Sequence, residues 1–143
     1  MIRDPDPVPR KVLHVTWQRL VDEADATCPR CHGTEANLDE AVAVLRPLLA
    51  GQGIEILLQK KRILPLVFNQ NPLDSNIISI EGKHLENWLH AETRQSPCCD
   101  ACGDNECRTL RLEGKTYETV PVELIIRGVL RAVRTIFGVI LEI

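Results

Sequence analysis

The sequence carries no excess of positive charge: 17 lysines and arginines stand against 20 aspartates and glutamates, giving a formal net charge of -3 and a pI near 5.8. A domain that grips a phosphate backbone normally shows a basic surplus gathered on one face, so nucleic acid is not an expected partner. The short run Lys60, Lys61, Arg62 reads as a solvated strand end. Also missing is an apolar run near the amino terminus. MIRDPDPVPRKV alternates charge with proline and holds no stretch of the kind a secretory signal needs, so the expected location is the cytoplasm. There is no internal repeat and no low-complexity tract.

What the chain does hold is six cysteines in 143 residues, 44% of which are hydrophobic. That length and composition suffice for one core without covalent staples. In a compartment that keeps thiols reduced, metal ligation or redox chemistry outranks a disulfide framework.

Residues 1–10, with Pro5, Pro7 and Pro9 at alternate positions, read as an extended arm, and residues 11–143 as a single domain. Lys11 to Leu20 suits a first strand. The segment Cys28-Pro29-Arg30-Cys31-His32-Gly33-Thr34 reads as a loop, with a capping-box-like helix start at Asn37 and Glu40. Leu38, Ala41, Val42, Leu45, Leu48 and Leu49 recur at helical spacing up to Gly51, across the awkward Pro47. Ile54 to Gln59 is a second strand, so strand, helix and strand follow in the order of a parallel crossover. After the turn-rich segment from Asn69 to Asn76, Ile77 to Ile80 reads as a strand entering a turn at Glu81-Gly82-Lys83. A short surface helix runs from about Leu85 to Ala91, flanked by His84 and His90. RTLRLEGKTYETV reads as a hairpin turning at Glu113-Gly114-Lys115. Pro121 opens a long final helix whose stripe runs Ile125, Ile126, Val129, Leu130, Val133, Ile136, Phe137, Ile140, Leu141. Arg127, Arg131 and Arg134 on its opposite side argue against a membrane span. Core packing is the expected use of the stripe, with a membrane-surface helix or a homodimer through this helix as the alternatives.

Two cysteine groups carry the chemistry. Cys28 and Cys31 form a C-x-x-C between a strand and a helix, a spacing at which one thiol attacks a partner and the other resolves the mixed disulfide. Arg30 and His32 lie beside them and would favour a thiolate. The alternative for the same pair is half of a zinc site. The second group, Cys98, Cys99, Cys102 and Cys107, holds a knuckle suited to zinc, with His32, His84, His90 or a cysteine of the first pair as candidate further ligand. A second dithiol, a receiver for copper(I), mercury or arsenic, and an iron-sulfur site are the competing uses. His14 reads as a packed or edge side chain, and Asp22-Glu23 and Asp39-Glu40 as solvated charges.

The order of TCPRCHGTEANLDEAVAVL, IEILL and SNIISIEGKHLENWL resembles thioredoxin-like proteins. With SPCCDACGDNECR, Thr116-Tyr117-Glu118 and PVELI added, the chain looks like a prokaryotic thioredoxin-like family known only as a domain of unknown function. The resemblance implies an α/β fold: a thioredoxin-like sheet with flanking helices, a cysteine-rich loop, a hairpin and a long C-terminal helix. It implies Cys28 as attacking thiol and Cys31 as resolving thiol, exchanging with protein or small-molecule thiols. Asn76 departs from the pattern, standing where a proline beside the active site would be expected. The expected activity is thiol-disulfide exchange, with the second cluster holding zinc or acting as an auxiliary thiol centre. The alternative is a non-enzymatic protein that binds soft metal or metalloid ions through its thiolates.

Overall fold

Leu13, Val15 and Trp17 alternate with His14, Thr16 and Gln18, and strand β1 (Lys11–Leu20) turns the first set wholly into the core. The computed structural model describes residues 11–20, 29–63, 76–97 and 106–141. The proline-rich arm lies outside these described residues.

β1 is a central strand of a four-stranded sheet with the order β2-β1-β3-β4. It pairs in parallel with β2 (Ile54–Ile63), Lys11 opposite Ile54, and antiparallel with β3 (Ile77–Ile80), Trp17 opposite Ile78. β4 (Lys83–His84) returns along β3. Helix α1 (Pro29–Ala50) makes the crossover from β1 to β2. Helix α2 (Leu85–Leu89) follows β4 directly. A separate antiparallel meander comes next: β5 (Glu92–Pro97), β6 (Glu106–Leu112) and β7 (Lys115–Tyr117). Helix α3 (Val122–Phe137) closes the order. The result is a mixed α/β fold of two sheets and three helices among the described residues.

Both tight turns use the same chemistry. Glu81-Gly82 and Glu113-Gly114 each have positive φ at both positions (51° and 76°, then 54° and 79°), the signature of a two-residue hairpin turn matched to strand twist. The glycine in each takes a left-handed conformation at no steric cost.

One face of the four-stranded sheet forms the core. Ile54, Ile56, Ile78 and Ile80 join the three inward residues of β1, and α1 adds Leu38, Ala41, Val42, Leu45 and Leu49. α3 adds Leu124, Ile125, Val129, Ala132 and Val133 to the same cluster. The opposite face carries His14, Thr16, Gln18, Ser79 and His84, which line an open cleft of about 340 Å³. His14 therefore stands on a central strand, facing out, with Nδ1 3.0 Å from Glu81 Oε1. Lys60 ties β2 to α1 through Glu35 Oε2 at 3.0 Å and Asp39 Oδ2 at 3.1 Å. Partial burial of its ammonium pulls the pKa down, but the two carboxylates outweigh this and leave it above the ordinary 10.5.

Four sequence expectations are corrected. α1 starts at Pro29, eight positions before Asn37, because proline suits the first helical position, where a missing N–H leaves nothing unsatisfied. Asn37 is consequently no cap; its Nδ2 donates to Val120 O at 2.9 Å. Helix α2 is not a surface helix, since Leu85, Glu86, Trp88 and Leu89 are all buried. Leu48 faces solvent, outside the α1 stripe. α3 ends at Gly138, whose left-handed φ of 68° caps it, so Ile140 and Leu141 lie beyond the helix.

Gly128 fixes how closely α3 approaches α2. A β-carbon there would overlap Leu85 Cδ1 and stand 3.6 Å from Ile80 Cδ1. Gly128→Ala is therefore expected to lower the urea midpoint, because overpacking of about 1–3 kcal/mol exceeds the roughly 1 kcal/mol gained in helix propensity. Adding Leu85→Ala, which removes the clashing methyl, should make the cost of Gly128→Ala smaller than it is alone. A raised midpoint for the single variant would show that the helices have room to part.

Candidate thiol site

The first turns of α1 are held by hydrogen bonds that reach three other elements. Thr34, fully buried on α1, accepts at Oγ1 from the Val120 backbone N–H at 3.2 Å and from Asn76 Nδ2 at 3.3 Å. Asn76 Oδ1 in turn accepts from Trp17 Nε1 at 3.1 Å. Asn76 stands just before β3 with a left-handed φ of 61°, a conformation that asparagine tolerates better than most residues. One residue before Thr34, Gly33 packs on Thr119: a β-carbon at Gly33 would lie 3.0 Å from Thr119 Cγ2. The connection from β7 to α3, residues 118–121, is thus the floor beneath the start of α1.

The same connection reaches the cysteine-bearing hairpin. Glu118 Oε1 accepts from Ser96 Oγ at 3.5 Å, and Ser96 is paired across the ladder with Cys107. The last pair of that ladder is Pro97 with Glu106, so residues 98–105 join β5 to β6 at its open end. Strand β5 was not foreseen from the sequence. ETRQSP has no apolar alternation, and it forms a strand through its pairing with β6.

Of the expected thiols, Cys31 is placed in the first turn of α1 and Cys107 in β6, as backbone positions. Cys28, Cys98, Cys99 and Cys102 lie outside the described residues. Cys28 is the residue immediately before α1 in the chain. Among the described residues no group of three or more histidine, cysteine or acidic side chains is gathered in a metal-holding arrangement. His84 occupies the N-cap position of α2 without a side-chain capping bond, its Nδ1 3.3 Å from Arg108 Nη2; His90 is exposed at the other end of that helix.

Between the hairpin and α2 lies a polar cluster built on a buried ion pair. Arg108, next to Cys107, bonds Glu86 Oε2 through Nε at 2.7 Å and Nη2 at 2.5 Å. Thr93 Oγ1 donates to the same carboxylate oxygen at 2.9 Å and lies 3.3 Å from Arg108 Nη2. This cluster joins α2 to both long strands of the meander. A void of about 10 Å³ sits beside it, lined by residues that include Asn76, Glu86, Arg108 and Thr109. Thr109 Oγ1 is buried there without a hydrogen-bond partner.

The family model described as a domain of unknown function, DUF2703, matches residues 13–129, from β1 into α3. The chain belongs to the DUF2703 family. A DUF2703 chain of this kind is shared with an archaeon: an uncharacterized protein of Archaeoglobus fulgidus is 37% identical over 113 residues, covering 79% of this chain and 82% of the relative. No solved structure matches. The matched DUF2703 span takes in both cysteine groups, the Thr34–Asn76–Trp17 chain and the Glu86–Arg108 pair. Sequence reasoning had marked Asn76 only as a departure from a proline. Glu86 was signalled by being the one acid within LENWL, but its partner, 22 positions away, was not readable from spacing.

Proposed function

We propose that this protein is a thiol-disulfide oxidoreductase on a thioredoxin-like scaffold, with Cys28 as attacking thiol and Cys31 as resolving thiol. The carrying observation is that α1 begins at Pro29, directly after Cys28 in the chain, where a helix N-terminus favours the thiolate of a cysteine held beside it. The order β2-β1-β3-β4, with β1 and β2 parallel around α1 and β3 antiparallel, is compatible with that scaffold. In the reaction, the Cys28 thiolate attacks a partner disulfide, forming one S–S bond and expelling one partner thiolate. Cys31 then attacks Cys28, releasing the second thiolate and leaving a Cys28–Cys31 disulfide, so two electrons pass from the pair to the partner.

The loop bearing Cys98, Cys99, Cys102 and Cys107 acts beside this pair, as a zinc site or as an auxiliary dithiol. Support comes from the connection at 118–121, whose Thr119 packs on α1 while Glu118 bonds the base of the hairpin. Zinc suits a cysteine donor set of this kind, and its role there would be structural. The competing reading, a soft-ion binding protein that uses both groups as ligands, draws on the same connection at 118–121.

The test combines native mass spectrometry and thiol counting of anaerobically purified protein with an insulin disulfide-reduction assay. Turnover abolished by Cys28→Ser, with turnover kept and metal lost when all four loop cysteines become serine, is the expected result. Metal binding that needs both groups, with no turnover by the unsubstituted chain, would put the ion-binding reading in its place.

A further inference from the structure

The outer side of α3 carries a row of positive charge. Arg127, Arg131 and Arg134 are all exposed, and among the described residues none is ion-paired; Arg131 Nη1 donates to the Trp88 carbonyl at 3.0 Å. Some cations elsewhere meet carboxylates, Lys60 with Glu35 and Asp39, Arg94 with Glu92, Arg108 with Glu86. Spacings of four and three residues set the three guanidinium stems one turn apart, over about 10 Å of helix.

Two clefts flank this row and share Arg131 and Arg134. One, of about 360 Å³, adds Lys83, Trp88 and His90, with Lys83 Nζ 4.3 Å from the Trp88 ring centre. The other, of about 180 Å³, adds Arg127, Leu130, Ile140 and Leu141. Among the described residues no acid lines either cleft. Ile140 is 70% exposed, because the chain turns at Gly138 and carries Ile140 and Leu141 back beside Arg127. The nearest acid along the helix, Glu123, lies one turn before Arg127, at the end away from Arg134.

We propose that this face docks an acidic amphipathic helix of a partner protein, its carboxylates one turn apart on Arg127, Arg131 and Arg134 and an apolar side chain over Ile140. Guanidinium groups bind carboxylates through two parallel hydrogen bonds, which gives geometric selection as well as charge. The aliphatic floor of Leu130, Ile140 and Leu141 is wasted on a nucleic acid or a free anion but is covered by a side chain-bearing helix. A chain of net charge -3 has no general attraction for polyanions, so attraction at this face is local. The proposal does not depend on the thiol chemistry.

The probe is a fluorescein-labelled helical peptide with glutamates at i, i+4 and i+7 and leucines beside them, titrated with the full chain and read by fluorescence anisotropy. Saturable binding is expected, at least about tenfold weaker for R127E/R131E/R134E and about threefold weaker for I140S. The control K61E/R111E/K115E, which changes net charge equally, should stay within about twofold. R127Q/R134Q should weaken binding in the same direction should the triple reversal disturb folding, as judged by circular dichroism. Absence of binding by the unsubstituted chain, or equal loss in both triple variants, overturns the proposal. So does sedimentation of the chain with phosphatidylserine vesicles while the peptide is ignored, an outcome that would give the face to a lipid surface.

Discussion

Arg108→Met is expected to destabilise the fold by about 3–5 kcal/mol, the range for stranding one member of a buried ion pair. Both partners are almost wholly enclosed, Arg108 at 7% and Glu86 at 5% exposure. Methionine would keep much of the arginine volume, so the effect isolates charge from packing. What remains is a carboxylate that has lost two charge-assisted hydrogen bonds and keeps one from Thr93. A pair replaced as a unit behaves differently. Glu86→Leu combined with Arg108→Met removes both charges, and its cost should fall well short of the single variant's. Urea unfolding of the three proteins, compared at equal m-value, checks this. A single-variant cost below about 1 kcal/mol would mean that water reaches the pair in solution.

The second large effect is expected at Asn76. Asn76→Ala should cost about 3 kcal/mol, from two sources that a companion variant separates. The indole N–H of Trp17, fully buried, loses its acceptor, and the Thr34 hydroxyl loses a donor. Alanine must also adopt the left-handed φ of 61°, which costs roughly 1 kcal/mol more than it does for glycine. Asn76→Gly should therefore be the milder change by about that 1 kcal/mol, while still losing the hydrogen bonds. Thermal unfolding followed by tryptophan fluorescence reads both variants. If alanine and glycine cost the same, the positive φ is not held in the folded protein.

These residues also show where the sequence was readable. The alternation in β1, the stripe in α3 and the Glu-Gly turns are local patterns, and each was legible because the residues that define it are neighbours in the chain. The start of α1 was not, because Gly33 and Thr34 are weak helix formers and the anchor, Val120, arrives 86 positions after Thr34. β5 was hidden for a related reason: a polar segment becomes a strand only where a partner supplies the ladder. The C-x-x-C was visible as a motif, and its position against the helix start was misread by eight residues. The partnership of Glu86 with Arg108 is a fact of three-dimensional packing that no periodicity records.

The placement of β1 has a consequence for how the chain reaches its native state. A central strand comes first in the fold, yet neither neighbour is close in sequence: β2 begins at Ile54 and β3 at Ile77. The indole of Trp17 waits for an acceptor 59 residues further on. By contrast, β5, β6 and β7 form a meander within residues 92–117, whose closing loops are short. Loop-closure entropy therefore falls mostly on the four-stranded sheet, and a nascent chain emerging from the ribosome has no partner on either side of β1 until α1 has already been made. Pairing of that first strand is therefore expected to come late, with α1 made before the sheet it will finally cover.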